Sequence, residues 1–182
     1  MATAFVTGAT GCLGTNLLGE LLAGGWHVVA MHRATSRLGD LAALPVERVV
    51  GDVTDLASVV RAMPPGVDVV FNLAGDTSVW ARNDERKRRV HVEGTRNVVA
   101  AAIERRAGRL VQTSTAGTLG EHGERINEES RSTASSSRVP TFRTKWEGEQ
   151  EVRHGLARGL DSVIMNPAVF TGPHDRHTWS RL

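Results

Sequence analysis

Near the amino terminus the run Thr7-Gly8-Ala9-Thr10-Gly11-Cys12-Leu13-Gly14 places a glycine at every third position. Each glycine meets a separate demand. Gly8 permits a tight turn off a strand, Gly11 lets backbone amides approach an anion, and Gly14 allows a helix to pack close to a sheet. A helix opening here aims its amino terminus at the anion, so the chemistry is that of a phosphate cradle. Further on, His32-Arg33 is followed closely by Arg37. Guanidinium groups grip phosphate in bidentate fashion, whereas a carboxylate at the end of a second strand would bond ribose hydroxyls. Arg33 and Arg37 are therefore candidates for the extra phosphate that separates NADP from NAD. The expected cofactor is a dinucleotide, NADP in preference to NAD; the plain alternative for the two arginines is a solvated surface loop.

A phosphate cradle works only if a strand delivers it and a helix leaves it. Ala4-Phe5-Val6 enters the loop, and Leu13, Leu17, Leu18, Leu21 and Leu22 follow at helical spacing until Gly24-Gly25. Further strands are expected at Val28–Met31, Val46–Val50, Val67–Leu73, Leu110–Thr113 and Ser162–Met165. Helical patterns lie between them: Leu56, Val59, Val60 and Met63 in a short one, and Val90, Val92, Thr95, Val98, Val99 and Ala102 in a longer one. This alternation predicts an α/β fold, a doubly wound parallel sheet of Rossmann type in three layers, with strand order 3-2-1-4-5-6. The Ser-, Gly- and charge-rich stretch from Gly117 to Pro140 reads as a long loop at the carboxyl edge of the sheet.

Composition narrows the function classes. A chain of 182 residues fits one domain, taken as spanning 1–182, and 22 basic against 20 acidic residues give no polyanion-binding balance. The basic run Arg86-Lys87-Arg88-Arg89 has no interleaved aromatic residues and reads as a solvated face, so no nucleic-acid partner is expected. Cys12 is the only cysteine, which excludes an internal disulfide and any multi-cysteine metal site; no metal is expected, and the cytoplasm is the simplest compartment. In the phosphate loop Cys12 reads as a packing residue, although a helix amino terminus can lower a thiol pKa. No apolar run spans a bilayer and no leader pattern is present, so no membrane partner is expected. The expected partner is a small-molecule substrate, with a homodimer left open. The chain has no tyrosine.

The spacing TGxxGxxG, with the motifs that follow it, resembles the short-chain dehydrogenase/reductase superfamily, and its extended branch most closely: the NAD-dependent epimerase/dehydratase family, in a dihydroflavonol-reductase-like form. Gly51-Asp52-Val53 resembles the family's adenine-contacting segment, and Asn72-Leu73-Ala74-Gly75 the turn that passes the cofactor ribose. His91-Val92-Glu93-Gly94-Thr95 is similar to its Asn-Val-x-Gly-Thr helix segment, with histidine in the asparagine position. Gln112-Thr113-Ser114-Thr115-Ala116-Gly117-Thr118 resembles the strand that puts the active-site hydroxyl on Thr115. Asn166-Pro167-Ala168-Val169-Phe170 resembles the segment bordering nicotinamide. The resemblance thus implies that Asp52, Val53, Leu73, Ala74, Gly75, Pro167 and Val169 join the glycine loop in holding the cofactor.

One departure is large. Thr141-Phe142-Arg143-Thr144-Lys145 resembles the family's Tyr-x-x-Ser-Lys with threonine in the tyrosine position. The resemblance implies that Lys145 holds ribose and Thr115 polarises a carbonyl, while the tyrosine acts as proton donor. An aliphatic hydroxyl is about as weak an acid as water, far weaker than tyrosine at about 10. Thr141 is therefore a degenerate catalytic position; a bound water, a substrate hydroxyl or His122 could relay a proton in its place. Trp80 could border a substrate pocket, although tryptophans such as Trp26, Trp146 and Trp179 more often pack.

Two functions compete. One is an NADPH-dependent carbonyl reductase or nucleotide-sugar epimerase. The other is a catalytically impaired NAD(P)-binding sensor or regulatory module. The resemblance also implies that most of a carboxyl-terminal substrate domain is absent or truncated.

Overall fold

The computed structural model describes residues 1–78, 84–120 and 126–175; Trp80, His122 and Trp179 lie outside them. Six parallel strands form one sheet in the order β3-β2-β1-β4-β5-β6: β1 Thr3–Thr7, β2 His27–His32, β3 Glu47–Val50, β4 Val69–Asn72, β5 Arg109–Thr113 and β6 Ser162–Met165. The order is the one the alternation predicts. β1 sits between β2 and β4, with Val6 opposite Ala30 on one side and Phe71 on the other. The chain therefore leaves β1 at the crevice where the sheet changes direction, the place where doubly wound sheets bind ligands.

Helix α1 (Cys12–Ala23) covers one face of the sheet; α2 (Leu56–Ala62), α4 (Gly94–Glu104) and α5 (Pro140–Ala157) cover the other. The periodic positions on α4 are buried as their spacing requires, with Thr95, Val98, Val99 and Ala102 all in the interior. Beneath α1, Ala4, Val6, Val28 and Ala30 pack with Leu18 and Leu21, and Leu41 from a short 3-10 turn at Gly39–Ala43 closes the layer. On β6, Val163 and Met165 stay 39% and 53% exposed, because no helix among the described residues covers that end of the α1 face.

The long helix expected around Val90–Ala102 starts earlier and is interrupted. Helix α3 (Asp84–Arg88) runs into a π turn at Arg89–Glu93, where Gly94 N–H donates to Arg89 O, and then into α4. The basic run is also less solvated than expected. Lys87 is buried beside Asp84, and Arg86 pairs with Asp76 at 2.7 Å. The spacing of the run carries no sign of this, because α3 docks on α5 and the π turn. The Gly117–Pro140 stretch holds two short 3-10 turns, Ala116–Leu119 and Ala134–Ser136, and Pro140 opens α5, where its fixed φ and missing N–H suit the first helical turn. No described helix is long and apolar enough to cross a membrane.

Candidate functional site

The glycine loop has the geometry its residue types predict. Gly8 has φ +69°, and a Cβ there would lie 2.7–2.8 Å from the backbone of Leu73 and Ala74. That contact locks the loop to the turn after β4. A Cβ on Gly14 would collide with Gly8 O and lie 2.8 Å from Ala9 Cα, so only glycine lets α1 start this close to the loop. Gly11 differs: a Cβ would meet only Gly8 O, at 3.3 Å. Gly11 caps α1 without any side-chain hydrogen bond, so the first-turn amides of Cys12, Leu13 and Gly14 are left for an external acceptor. A pyrophosphate fits that cradle, because both the open face and the helix end favour an anion. Thr10 is exposed beside it. Cys12 Sγ instead approaches Pro173 O at 3.5 Å, a carbonyl that also accepts from Asn16 Nδ2 at 2.8 Å. Burial, assisted by the charge of Asp175, pushes the Cys12 thiol up, so the helix end does not activate it.

At the far end of the crevice, a cleft of about 330 Å³ is lined by Arg33, Ala34, Thr35, Val50, Gly51, Asp52, Asp55, Ser58 and Arg61. Arg33 is where the sequence placed it. Arg37 does not line the cleft: a turn closed by Ser36 N–H donating to Arg33 O carries the chain away, and Arg37 is exposed beyond it. The second guanidinium comes from Arg61 on α2, which sequence reasoning missed. Asp52 Oδ1 accepts from Thr54 N and Oγ1, both at 2.9 Å, while Asp52 N–H donates to Ser58 Oγ. This turn fixes the carboxylate at the cleft wall, and Val53 is buried behind it against α4.

The third part of the site gathers where β4, β5 and α5 meet. Lys145 Nζ donates to Thr113 O at 3.0 Å, and a Cβ on Gly75 would lie only 3.3 Å from that nitrogen. Burial pushes the ammonium down to about 8, with Glu149 acting in the opposite sense. Thr141 precedes Lys145 by one helical turn on α5, so both side chains lie on one face. Phe142 is not at that position; its ring packs over Gly117, where any Cβ would collide with it. Thr115 Oγ1 accepts from Gly117 N–H at 3.3 Å, capping the 3-10 turn, and keeps its own proton to donate. Pro167 O accepts from Ala116 N–H at 2.8 Å, tying the segment after β6 to this corner. Val169 is 72% exposed, so the described residues do not enclose it.

Two buried groups hold this corner together, and neither was singled out as a site residue. Glu149 Oε1 lies 2.6 Å from Ser114 Oγ, 2.7 Å from Thr118 Oγ1 and 2.8 Å from Asn166 Nδ2, all positioned to donate. Ser114 is thereby committed to structure, which leaves Thr115 as the free hydroxyl. His91, in the π turn, receives the Asp76 N–H on Nε2 at 2.9 Å and meets Thr144 Oγ1 with Nδ1 at 2.9 Å. The only sequence signal for it was the histidine in an asparagine position.

A doubly wound parallel sheet, with an open glycine loop at its switch point and a lysine against the turn after the fourth strand, defines a Rossmann-type fold with a candidate dinucleotide site. The comparisons give the family. The chain belongs to the NAD dependent epimerase/dehydratase family, whose model matches residues 4–182. It is 36% identical to a Synechocystis sp. protein provisionally named a dihydroflavonol 4-reductase, covering 94% of this chain and 50% of that protein. It is 38% identical to sterol demethylase protein B of Methylococcus capsulatus, covering 95% and 53%. Its structure is similar to that of the Bordetella bronchiseptica enzyme WbmH in complex with NAD+, with a TM-score of 0.83 and 25% identity over 96% of this chain and 58% of that one. The chain thus spans about half the length of the relatives it matches.

Proposed function

We propose that the chain binds NADP in preference to NAD and supplies the cofactor side of a carbonyl reduction. The observation that carries this reading is the cleft in which Arg33 and Arg61 flank the segment Gly51-Asp52. Two guanidinium groups, Arg33 at the end of β2 and Arg61 on α2, suit a 2′-phosphate, with Asp52 left for the adenine edge. The pyrophosphate belongs on the amides of Cys12, Leu13 and Gly14, and the ribose of the nicotinamide end along Leu73, Ala74 and Gly75, within reach of Lys145. Pro167 and Val169 border the nicotinamide. The bound cofactor would supply hydride to a carbonyl carbon. Thr115, with a hydroxyl proton to donate, would polarise the carbonyl oxygen, and Lys145 would hold the ribose hydroxyls.

The proton is the weak link. Thr141 stands one turn before Lys145 where the family resemblance places a tyrosine, and a gap of about five pKa units corresponds to about 7 kcal/mol of proton-transfer driving force. That residue favours a second reading, in which the chain binds the cofactor as a sensing or regulatory module and turns over nothing. Titration of tryptophan fluorescence with NADP+ and NAD+, together with NADPH oxidation against aldehydes and ketones, separates the cases. NADP+ should bind more tightly, and Arg33→Ala or Arg61→Ala should each weaken it by about tenfold to a hundredfold while sparing NAD+. Equal affinities in the unaltered chain would refute the NADP assignment. Turnover gained by Thr141→Tyr supports an altered reductase; tight binding with no turnover in either protein supports the sensor.

A further inference from the structure

His91 is 2% exposed and sits at the centre of the π turn, with both ring nitrogens engaged by different elements. Asp76 N–H, on the loop after β4, donates to Nε2, so that nitrogen carries no proton. The ring proton is then on Nδ1 and is donated to Thr144 Oγ1 on α5, while the Thr144 hydroxyl donates to Pro140 O at 2.8 Å. The order of donors is fixed from one end to the other, and it runs from the β4 loop through the ring to the first turn of α5. Thr95 Oγ1 donates to His91 O at 2.7 Å, and Gly148 brings α5 against that same carbonyl so closely that a Cβ would collide with it.

The two ends of this chain flank the ribose corner. A Cβ on Gly75 would lie 3.7 Å from His91 Nε2 and 3.3 Å from Lys145 Nζ, so both nitrogens approach the same face of the same turn. Thr144 immediately precedes Lys145. We propose that His91 is a positioning residue, a two-ended strut that fixes the Gly75 turn and the start of α5 in one register and so sets Lys145 against the cofactor ribose. The functional part rests on Lys145 being the ribose-holding lysine; the strut itself does not. The charged groups facing the ring are Asp76 on the β4 loop, Lys87 on α3 and Lys145 on α5. Burial, with the Lys145 charge next, pushes the His91 imidazole down to about 3, with Asp76 opposing. The ring therefore stays uncharged across the working range and keeps both bonds.

Nitrogen-15 NMR of the histidine-labelled chain tests the strut without cofactor. One of the seven histidines should show a protonated Nδ1 and an acceptor Nε2 that stay unchanged from pH 7.5 to 5, and His91→Asn should remove that resonance. Titration of His91 near 6.5, or a proton on Nε2, would overturn the proposal. Thr144→Val and Thr144→Ser test the function in a second way. The valine variant should bind NADP+ about tenfold more weakly and move the Lys145 titration, followed through its carbon-13-labelled ε-methylene; the serine variant should restore both. Unchanged binding and an unchanged Lys145 titration in Thr144→Val would overturn it. If the unaltered chain binds no NADP+, the proposed function fails while the NMR tautomer still decides the strut.

Discussion

Lys145 bears a charge that its surroundings disfavour, and the penalty can be measured as stability. Its ammonium titrates at about 8 in the folded chain against 10.5 when free, chiefly through burial, with Glu149 pulling the other way. At 1.36 kcal/mol per pH unit, the difference amounts to about 3 kcal/mol. Below pH 8 the group is protonated in both states and the folded chain carries the whole penalty. Between about pH 8 and 10.5 the folded lysine has lost its proton and the unfolded one has kept it, so the unfolded state binds more protons and stability rises with pH. Lys145→Met keeps the apolar stem and removes the titration; it also loses the bond to Thr113 O, a constant offset of about 1–3 kcal/mol. Urea unfolding of both proteins from pH 7 to 10.5 gives the difference between them, in which every shared titration cancels. That difference should move by about 3 kcal/mol in favour of the lysine protein as pH rises, with most of the change above pH 8. A difference constant to within about 0.5 kcal/mol would show that burial does not tax this amine, and the case for its low pKa would fall.

The two kinds of glycine should separate cleanly. Gly8→Ala forces a side chain into positive φ and into the backbone of Leu73 and Ala74, so thermal unfolding should report a loss of about 2–3 kcal/mol. Gly11→Ala meets only one carbonyl and should unfold within about 1 kcal/mol of the parent while losing at least about tenfold in NADP+ affinity; equal destabilisation by both would contradict the division between the packed Gly8 and the open Gly11. Glu149→Ala strands the donors Ser114, Thr118 and Asn166 and should cost about 3–5 kcal/mol, with Glu149→Gln recovering much of it because Oε1 remains an acceptor. Denaturant unfolding of both variants checks this, and a cost below about 1 kcal/mol for alanine would mean that water serves those donors equally well.

What the sequence disclosed followed from how local its causes are. The shape of the glycine loop was legible because strand, glycines and helix are contiguous, and the strand order because each apolar run has the length and neighbours of a βα unit. Arg33 was legible as the residue leaving β2. Arg61 was not, because its place in the cleft depends on how α2 is laid over β3, which no spacing on α2 itself encodes. Glu149 looks from sequence like a surface partner for Arg153 one turn later, and that pair does exist at 3.7 Å; only the approach of Ser114 and Asn166 from two separate strand ends makes it a buried hub. Lys87 hid inside a run of like charge for a similar reason.

The π turn at Arg89–Glu93 also has a meaning measured in chain length. A π turn holds one residue more than an α-turn closing the same rise, so α3 enters about 100° out of phase with α4. Removing a single residue there would let one unbroken α-helix form, and the side chains of α3 would swing round by that angle, taking Arg86 away from Asp76 and the imidazole away from the Gly75 turn. A relative with an uninterrupted helix over this stretch should therefore align with a one-residue gap, so the corner that holds Lys145 is specified by a count of residues as well as by their kinds.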